Sequence, residues 1–387
     1  MKLSAIKGNL ILPEGVVENG LLVIKSEYIE EVITTNSGLN LNTIEVEDYS
    51  GFYISPGLVD VHLHGALGRE VMDGEVEGLK KIAEHQASSG VTSFFPTTLT
   101  SSLDRVFRAV EEIRAAQRQP LPSEIAGVHL EGPYVSQKRK GAQDPRYVRE
   151  IQSEELKLFE QHLGNLKTLI TLAPEAGNNL SFIPAMVEMG WVVSVGHSDA
   201  TYEEALKAFE AGATHATHLF NAWREFHHRE PGGIGAVLDE DKVFVELICD
   251  GIHVHPAFVR LAIRMKGPEK ICLITDSLKA AGLPDGVYGW GEMEIVLKGN
   301  EVRLKDSGVL AGSVLRLNQA IENVRRWTGL PVHQVVRMAS LTPAESVGLG
   351  KVIGSLEKGK LANVAVFNSS FETVATYLRG RKVYQSN

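Results

Sequence analysis

Hydrophobic and polar positions alternate in two different ways along this chain. Near both ends, short β-rich segments separated by turns predict strands and show no helical period. The segments are LSAIKGNLIL, GLLVIKSEYIEEVI and NTIEVEDY at the start, and LANVAVFNSSFETVATYLRGRKVYQSN at the end. We therefore expect the two ends to meet in one small β domain, formed by residues 1–54 and 355–387.

The middle, residues 55–354, alternates short apolar runs with amphipathic helical segments, which is typical of a parallel sheet with crossover helices. The apolar runs span 57–65, 91–97, 124–132, 166–174, 191–198, 213–221, 243–251 and 270–277. Helices are predicted over 75–90, 101–118, 152–161, 179–190, 201–211 and 255–266, and again near 313–328, 331–340 and 342–349. Residues 222–242 predict a glycine-rich loop, and 278–312 an irregular insertion. Eight runs are the number that a closed (β/α)₈ barrel needs, so we expect an α/β, TIM-like barrel.

Composition excludes several classes of protein. Hydrophobic residues make up 43% and charged residues 22% of 387 residues, which excludes a mainly disordered chain. No apolar stretch is long enough to cross a membrane, and the start lacks the apolar run of a signal peptide. The net charge of −9 argues against nucleic acid as a partner. Cys249 and Cys272 lie in apolar runs and predict buried thiols in a reducing compartment, the cytoplasm by default.

Polar residues gather at the carboxyl ends of the predicted barrel strands, where barrel enzymes place their chemistry. They are His62 and His64 on the first strand, Glu131 on the third, His197 on the fifth, His218 on the sixth and Asp276 on the eighth. His253 lies just beyond the seventh strand. If these were only solvated turn residues, both ends of the strands would carry them equally, and they do not.

Five of these residues predict a metal site. His62 and His64 are two positions apart on a strand, so both imidazoles point to the same side. Glu131 could bridge two ions, and His197 and His218 could complete the ligand set. Imidazole and carboxylate suit Zn²⁺, Fe²⁺ or similar ions, so we expect one or two divalent ions per chain. A histidine pair alone is more often two half-exposed strand residues; the prediction depends on the other three ligands.

Asp276 follows the apolar run ICLIT, where a carboxylate is either a helix N-cap or a catalytic base. Opposite a metal cluster the base is favoured, because a metal lowers the pKa of its water and a nearby carboxylate can take the proton.

The remaining histidines are expected to have structural roles. We expect His129 to pack beneath the metal site and His215 to lie in the core or behind the ligands. His85, His162 and His333 fall on predicted helices and are expected at the surface.

The order of the motifs resembles one known family. VDVHLHG, HLEGPY, SVGHSDA, THLFNA, REPGG, CDGIHVHP, TDS and LAGS follow one another between about residues 50 and 315. Together they resemble the N-acetylglucosamine-6-phosphate deacetylase family of the amidohydrolase superfamily. The resemblance implies a distorted (β/α)₈ barrel, a small β-sandwich domain built from both termini, and a homodimer. It also implies release of acetate from N-acetyl-D-glucosamine 6-phosphate, a reaction of amino-sugar catabolism or cell-wall sugar recycling.

The resemblance assigns roles to the strand-end residues. The principal metal ligands it implies are Glu131, His197 and His218, with His62 and His64 at a second metal position and Asp276 as general acid and base. Asn221, the backbone of Ala222 and His253 match contacts to the sugar phosphate. Arg229 matches an arginine that reaches the phosphate bound in the neighbouring subunit. Gln143 departs from a histidine found in some members; it can donate a hydrogen bond but carries no charge, which fits a two-metal version.

Two other classes of function remain open from the sequence. Another amidohydrolase, such as a dihydroorotase-like or D-aminoacylase-like amidase or a nucleobase deaminase, would share the barrel. Many of these bridge two metals with a modified lysine, whereas Glu131 occupies that place here and no strand-end lysine competes for it. A non-catalytic sugar-phosphate-binding protein would be expected to lose Asp276 or a ligand, and all are present.

Overall fold

The computed structural model describes residues 3–34 and 45–386. Within them the strands are β1 Leu3–Leu12, β2 Gly15–Lys25, β3 Tyr28–Ile33, β4 Glu45–Pro56, β5 Leu58–Leu63, β6 Gly65–Ala66, β7 Arg69–Glu70, β8 Val91–Thr98, β9 Glu124–Ile125, β10 Val128–Glu131, β11 Thr168–Leu172, β12 Val192–Val195, β13 His215–Ala216, β14 Phe244–Ile248, β15 Ile271–Ile274, β16 Gly286–Trp290, β17 Met293–Lys298, β18 Glu301–Leu304, β19 Val364–Phe367, β20 Thr373–Leu378 and β21 Arg381–Gln385. The helices are α1 Val76–Ala87, α2 Leu103–Gln117, α3 Ser153–Leu163, α4 Asn179–Glu188, α5 Tyr202–Glu210, α6 Gly232–Asp239, α7 Pro256–Lys266, α8 Leu317–Thr328, α9 Val332–Arg337 and α10 Leu341–Ser346.

Eight parallel strands form the barrel in the order β5, β8, β10, β11, β12, β13, β14 and β15. They coincide with the eight apolar runs of the sequence. Nearly every residue in them is buried, because barrel strands face the interior on one side and helices on the other. The predicted crossover helices are present as α1 to α5 and α7. The predicted α/β barrel is therefore confirmed.

The barrel is distorted where its first and last strands, β5 and β15, should pair. At one level the segment after α9 separates them: the backbone N–H of Val59 donates to the oxygen of Ala339 (2.9 Å), and that of Leu273 to the oxygen of Met338 (2.8 Å). At the carboxyl ends the two strands meet directly, since the Asp276 N–H donates to the His62 oxygen (2.9 Å). This contact ties together the strand ends that carry the predicted chemistry.

Both ends of the chain join in a second, seven-stranded sheet, with the order β21, β20, β19, β4, β1, β2 and β3. β4 lies parallel to β1 and antiparallel to β19, so N-terminal and C-terminal strands share one sheet. This agrees with the predicted small β domain built from both termini. The predicted domain limits, at residues 54/55 and 354/355, stay a prediction; residues 1, 2, 35–44 and 387 lie outside the described residues.

Two connections differ from the prediction. Residues 222–242 contain helix α6, although glycine is a poor helix former. The helix forms because its small residues allow close packing: a Cβ on Gly233 would lie 2.8 Å from the Trp223 ring. The insertion 278–312 is regular as well, since β16, β17 and β18 form a three-stranded antiparallel sheet. Burial of Trp290, Ile295 and Leu297 in a small core of its own stabilises that sheet.

His85 is buried on α1, so its expected surface position is wrong. Burial lowers its pKa to about 4, with a smaller contribution from Arg316. His162 and His333 are partly exposed. Among the described residues, no helix has the length and apolar character that a membrane crossing requires.

Candidate metal centre

The polar residues at the strand ends share an unusual backbone conformation. His197, His218 and Asp276 have φ angles of +47°, +28° and +48°, and Ala222, in the loop beside them, has +57°. Residues other than glycine rarely adopt this left-handed region, and such strain gathers at functional sites. Each chain segment turns sharply as it leaves its strand, which directs these side chains over the centre of the barrel.

Glu131, His197 and His218 converge from β10 and from the turns after β12 and β13. Glu131 Oε1 lies 3.1 Å from His197 Nε2 and 2.9 Å from His218 Nε2, and the two imidazole nitrogens are 3.1 Å apart. All three side chains are buried. One carboxylate and two imidazoles within reach of one point are a donor set for a divalent ion.

His62, His64 and Asp276 form a second group beside the first. Asp276 Oδ1 lies 3.2 Å from His64 Nε2 and 3.5 Å from His62 Nε2. The two groups share Glu131, whose Oε1 is 3.4 Å from His62 and whose Oε2 is 3.3 Å from His64. Glu131 is therefore placed where one carboxylate could bridge two ions.

Hydrogen bonds on the far side of two of the imidazoles, His64 and His197, direct their other nitrogens to the centre. His64 Nδ1 lies 3.1 Å from the Thr97 carbonyl oxygen, and His197 Nδ1 lies 2.9 Å from that of Arg139. A carbonyl oxygen only accepts, so each Nδ1 carries a proton, and it is the Nε2 lone pair that points inward when the ring is neutral. This is the tautomer that a metal ligand needs, and the residues present therefore fit a divalent ion.

Burial and the neighbouring imidazoles act in opposite directions on the pKa values of the two carboxyl groups. Burial raises the pKa of Glu131, but His62, His197 and His218 outweigh it and hold the pKa well below its usual range. Burial also raises the pKa of Asp276, and again His62 and His64 outweigh it and lower the pKa. Both carboxyl groups are therefore ionised at neutral pH, which suits a ligand and a base.

A cavity of about 250 Å³ opens over these residues. Gln143, Asn221, Ala222 and His253 line it, so the predicted substrate-contacting residues other than Arg229 lie next to the metal group. Gln143 Nε2 donates to Glu131 Oε2 (2.5 Å), and its Oε1 accepts from the backbone N–H of Thr100 (2.8 Å). Trp290 and Leu310 cover part of the cavity from the insertion after β15.

Arg229 lies apart from the other predicted site residues. It is exposed, and its guanidinium Nη1 is 3.0 Å from His228 Nε2 on the same loop. It does not line the cavity of its own chain. Its expected role across a subunit interface stays a prediction.

Sequence reasoning missed two supporting carboxylates. Glu246 is fully buried on β14, with Oε2 2.9 Å from His62 Nδ1. Asp250 Oδ2 lies 2.6 Å from His253 Nδ1 and fixes that ring at the cavity. The signal for Glu246 was a single charged residue inside the apolar run VFVELIC, since a lone buried carboxylate needs a partner. Asp250 lies in the motif CDGIHVHP, from which only His253 was assigned a role. His129 and His215 are buried, as expected.

A parallel barrel whose strand ends present clustered imidazoles and carboxylates is the architecture of a metal-dependent hydrolase. The model of the amidohydrolase family matches residues 53–383, and the chain belongs to this family. It is 40% identical over 334 residues to the N-acetylglucosamine-6-phosphate deacetylase of Vibrio furnissii, covering 86% of this chain and 83% of that protein. It is 37% identical over 339 residues to the N-acetylgalactosamine-6-phosphate deacetylase of Escherichia coli O157:H7, covering 87% and 89%.

A solved structure shows the same fold. The N-acetyl-D-glucosamine-6-phosphate deacetylase of Mycobacterium smegmatis, a mutant in complex with N-acetyl-D-glucosamine 6-phosphate, superposes with a TM-score of 0.92 at 30% identity. The match covers 99% of both chains. The resemblance found in the motifs is therefore confirmed.

Proposed function

We propose that this chain hydrolyses the acetamide of N-acetyl-D-glucosamine 6-phosphate to D-glucosamine 6-phosphate and acetate, with the help of a divalent metal. The observation that carries the proposal is the buried convergence of Glu131, His197 and His218 beside Asp276 at the floor of the cavity. The named relatives and the substrate complex of a similar protein support the choice of substrate.

Glu131, His197 and His218 would hold one ion, and His62 and His64, with Glu131 shared, would hold a second. Imidazole and carboxylate donors favour zinc or iron. When bound, an ion at this place supplies a water of lowered pKa and polarises the acetyl carbonyl.

Asp276 moves the proton. Its Oδ1 faces the ligand group, and it is ionised because His62 and His64 lower its pKa. We infer that Oδ1 takes the proton of the attacking water and gives it to the sugar nitrogen as the C–N bond breaks. Gln143 and His253 line the same cavity and would donate hydrogen bonds to the carbonyl oxygen as it gains negative charge.

The sugar phosphate would lie against Asn221, the backbone of Ala222 and His253. Arg229 is exposed and would reach the phosphate bound by a second copy of the chain. An exposed apolar stripe on α7, formed by Phe258, Leu261 and Met265, supports a homodimer. Phe258 packs against Phe220 with ring centroids 5.3 Å apart, so the stripe adjoins the loop that carries Asn221 and Ala222. Such a patch is typical of an interaction surface.

The proposed compartment is the reducing cytoplasm. Cys249 and Cys272 are both buried free thiols, and burial raises the pKa of each, which makes them unreactive. A chain whose cysteines serve only as core residues needs no oxidising environment.

Acetate release tests the proposal directly. The zinc-loaded or iron-loaded protein is given N-acetylglucosamine 6-phosphate, its galactosamine epimer, and unphosphorylated N-acetylglucosamine. We expect the highest kcat/KM for the first, a lower value for the epimer, and the lowest for the sugar without phosphate. Removal of the metal by a chelator should abolish turnover, and adding it back should restore it. Preference for the epimer would change the assigned substrate, and no acetate release from either phosphate would reject the proposal.

A further inference from the structure

We propose that Glu246 is a positioning residue: its carboxylate orients His62 so that the second ion position, formed with His64, can fill. The inference rests on the two-ion site of the proposed function. Glu246 is outside that ligand set and contacts neither the cavity nor the faces of the imidazoles that point to the ions.

Glu246 belongs to the interior layer just beneath the metal group. The side chains of one layer come from alternate barrel strands. His62, His129 and Glu246 lie on β5, β10 and β14, which are the first, third and seventh strands of the barrel. Their ligand atoms lie within 4.8 Å of one another, and all three are buried. Branched apolar residues usually fill such a layer, so a carboxylate here requires a polar reason.

The contacts of Glu246 show what it does. Its Oε2 lies 2.9 Å from His62 Nδ1 and accepts the backbone N–H of His218 at 3.1 Å. Its Oε1 lies 3.4 Å from His215 Nε2 without forming a hydrogen bond. Glu246 Oε2 therefore contacts one residue from each proposed ion position, His62 from the second and His218 from the first. Because the carboxylate only accepts, His62 must carry its proton on Nδ1 and present Nε2 to the centre.

The other fixed imidazoles use weaker acceptors. His64 and His197 rest on carbonyl oxygens, of Thr97 and Arg139, whereas His62 rests on a charged carboxylate. A carboxylate behind a ligating histidine fixes the tautomer and increases the basicity of the ring, and its loss typically lowers metal affinity about 10- to 100-fold. We therefore expect the second ion position, to which His62 belongs, to depend on Glu246 more than the first does.

The test compares metal binding of the full chain and four variants. Apo protein is titrated with Co²⁺, and stoichiometry and affinities are measured by elemental analysis and by the visible absorption of the bound ion. We expect two ions for the unaltered chain and one for His62→Asn. Glu246→Ala should keep one tight ion and bind the second about 10- to 100-fold more weakly. Glu246→Gln, which keeps an accepting oxygen but loses the charge, should bind it about tenfold more weakly.

A matched control is Glu175→Gln. Glu175 is a partly buried carboxyl group three residues after β11, and it accepts hydrogen bonds from the Ser198 hydroxyl and the Asp199 backbone N–H rather than from an imidazole. This variant should bind two ions with unaltered affinity. Nitrogen NMR of the zinc-loaded protein reports the hydrogen bond that positions His62. The unaltered chain should show a slowly exchanging His62 Nδ1–H, which His62→Asn identifies by its absence. Glu246→Ala should lose this signal.

Unaltered affinity for the second ion in Glu246→Ala would overturn the proposal. If that variant fails to fold, unaltered affinity in Glu246→Gln would overturn it equally. A single ion in the unaltered chain would also overturn it, while acetate release by that one-ion protein would leave the proposed function standing. Conversely, two ions without acetate release would contradict the function and leave the role of Glu246 intact.

Discussion

Asp276 is the residue in which backbone strain, burial and charge coincide. Its φ is +48°, and its Oδ1 lies 3.2 Å from His64 Nε2. The strained turn aims the carboxylate at the ligand group, and the neighbouring imidazoles keep it ionised. This combination serves a proton acceptor better than it serves a helix cap.

Replacing Asp276 by asparagine tests its role as acid and base. Asp276→Asn preserves size but cannot take up the proton, so we expect kcat to fall about 10²- to 10⁴-fold. KM and the binding of metal by the other ligands should change little. The matched control is Asp239→Asn on α6, which should keep full activity; near-normal kcat in the Asp276 variant would remove this residue from the mechanism.

Protonation of His64 links metal binding to pH. Burial lowers its pKa, but Asp276 and Glu131 outweigh burial and raise the pKa to about 9. In the metal-free protein this proton stabilises the fold, fully below about pH 6.5, and the contribution is lost as pH rises through about 9. An ion must displace the proton, because only a neutral imidazole binds metal.

We therefore expect zinc binding at pH 7 to release protons, and zinc affinity to increase as pH rises toward about 9. Calorimetry in two buffers of different ionisation enthalpy measures the number of protons. His64→Asn should release fewer. Proton-neutral binding by the unaltered chain at pH 7 would contradict the assigned protonation.

The sequence alone indicated those candidate site residues that lie at the ends of apolar runs. His62, His64 and Asp276 end apolar runs, and a polar residue at a strand's carboxyl end indicates chemistry. Glu246 was not predictable in the same way, because it lies inside a run. Its partner, His62, is distant along the chain and adjacent only in the folded barrel.

At the scale of elements, α6 supports the loop that carries Asn221 and Ala222 through close packing. Gly233 lies next to the six-membered ring of Trp223, whose Nε1 donates to the Thr217 oxygen at 3.0 Å. That contact anchors the turn carrying His218 and Asn221. Eight strands were predicted because each is a continuous apolar run; α6 was not, because its glycines serve packing rather than propensity.

Gly233→Ala tests this packing. The added Cβ would meet the Trp223 ring at 2.8 Å. Overpacking of this kind costs about 1–3 kcal/mol. Alanine is favoured over glycine in a helix by only roughly 1 kcal/mol, so we expect a net loss of stability. We expect a lower Tm and a higher KM as the turn shifts. Gly15→Ala, with nothing within 4 Å of its added Cβ, is the control and should change neither. An unaltered Tm in Gly233→Ala would show that α6 tolerates the methyl group.

At the scale of the whole molecule, no arginine among the described residues lines the cavity in which the proposed sugar phosphate would lie. Arg229 is exposed and outside the cavity, while the apolar stripe of α7 is left uncovered. In the proposed homodimer, a second copy covers the stripe and supplies its own Arg229 to the phosphate. The sequence alone could not establish this arrangement, since neither periodicity nor spacing encodes contacts between separate chains.

Mixing variants tests the dimer. Arg229→Ala should raise KM for the phosphorylated sugar at least tenfold and leave the unphosphorylated sugar almost unaffected, because a charged hydrogen bond is worth about 1.5–3 kcal/mol. Arg326→Ala, which removes an exposed arginine of α8, should have no effect. Heterodimers of Arg229→Ala and Asp276→Asn chains should regain part of the activity, since one site receives both intact groups. If verified heterodimers regain no activity, Arg229 acts on the substrate of its own subunit and not across the interface.

Anomalous X-ray diffraction at the zinc edge, on crystals of the zinc-loaded protein, tests the central claim most directly. We expect a peak about 2.0–2.2 Å from Glu131, His197 Nε2 and His218 Nε2, and a second beside His62 and His64. A map with these side chains directed apart and the zinc bound elsewhere would contradict the metal centre and the chemistry derived from it.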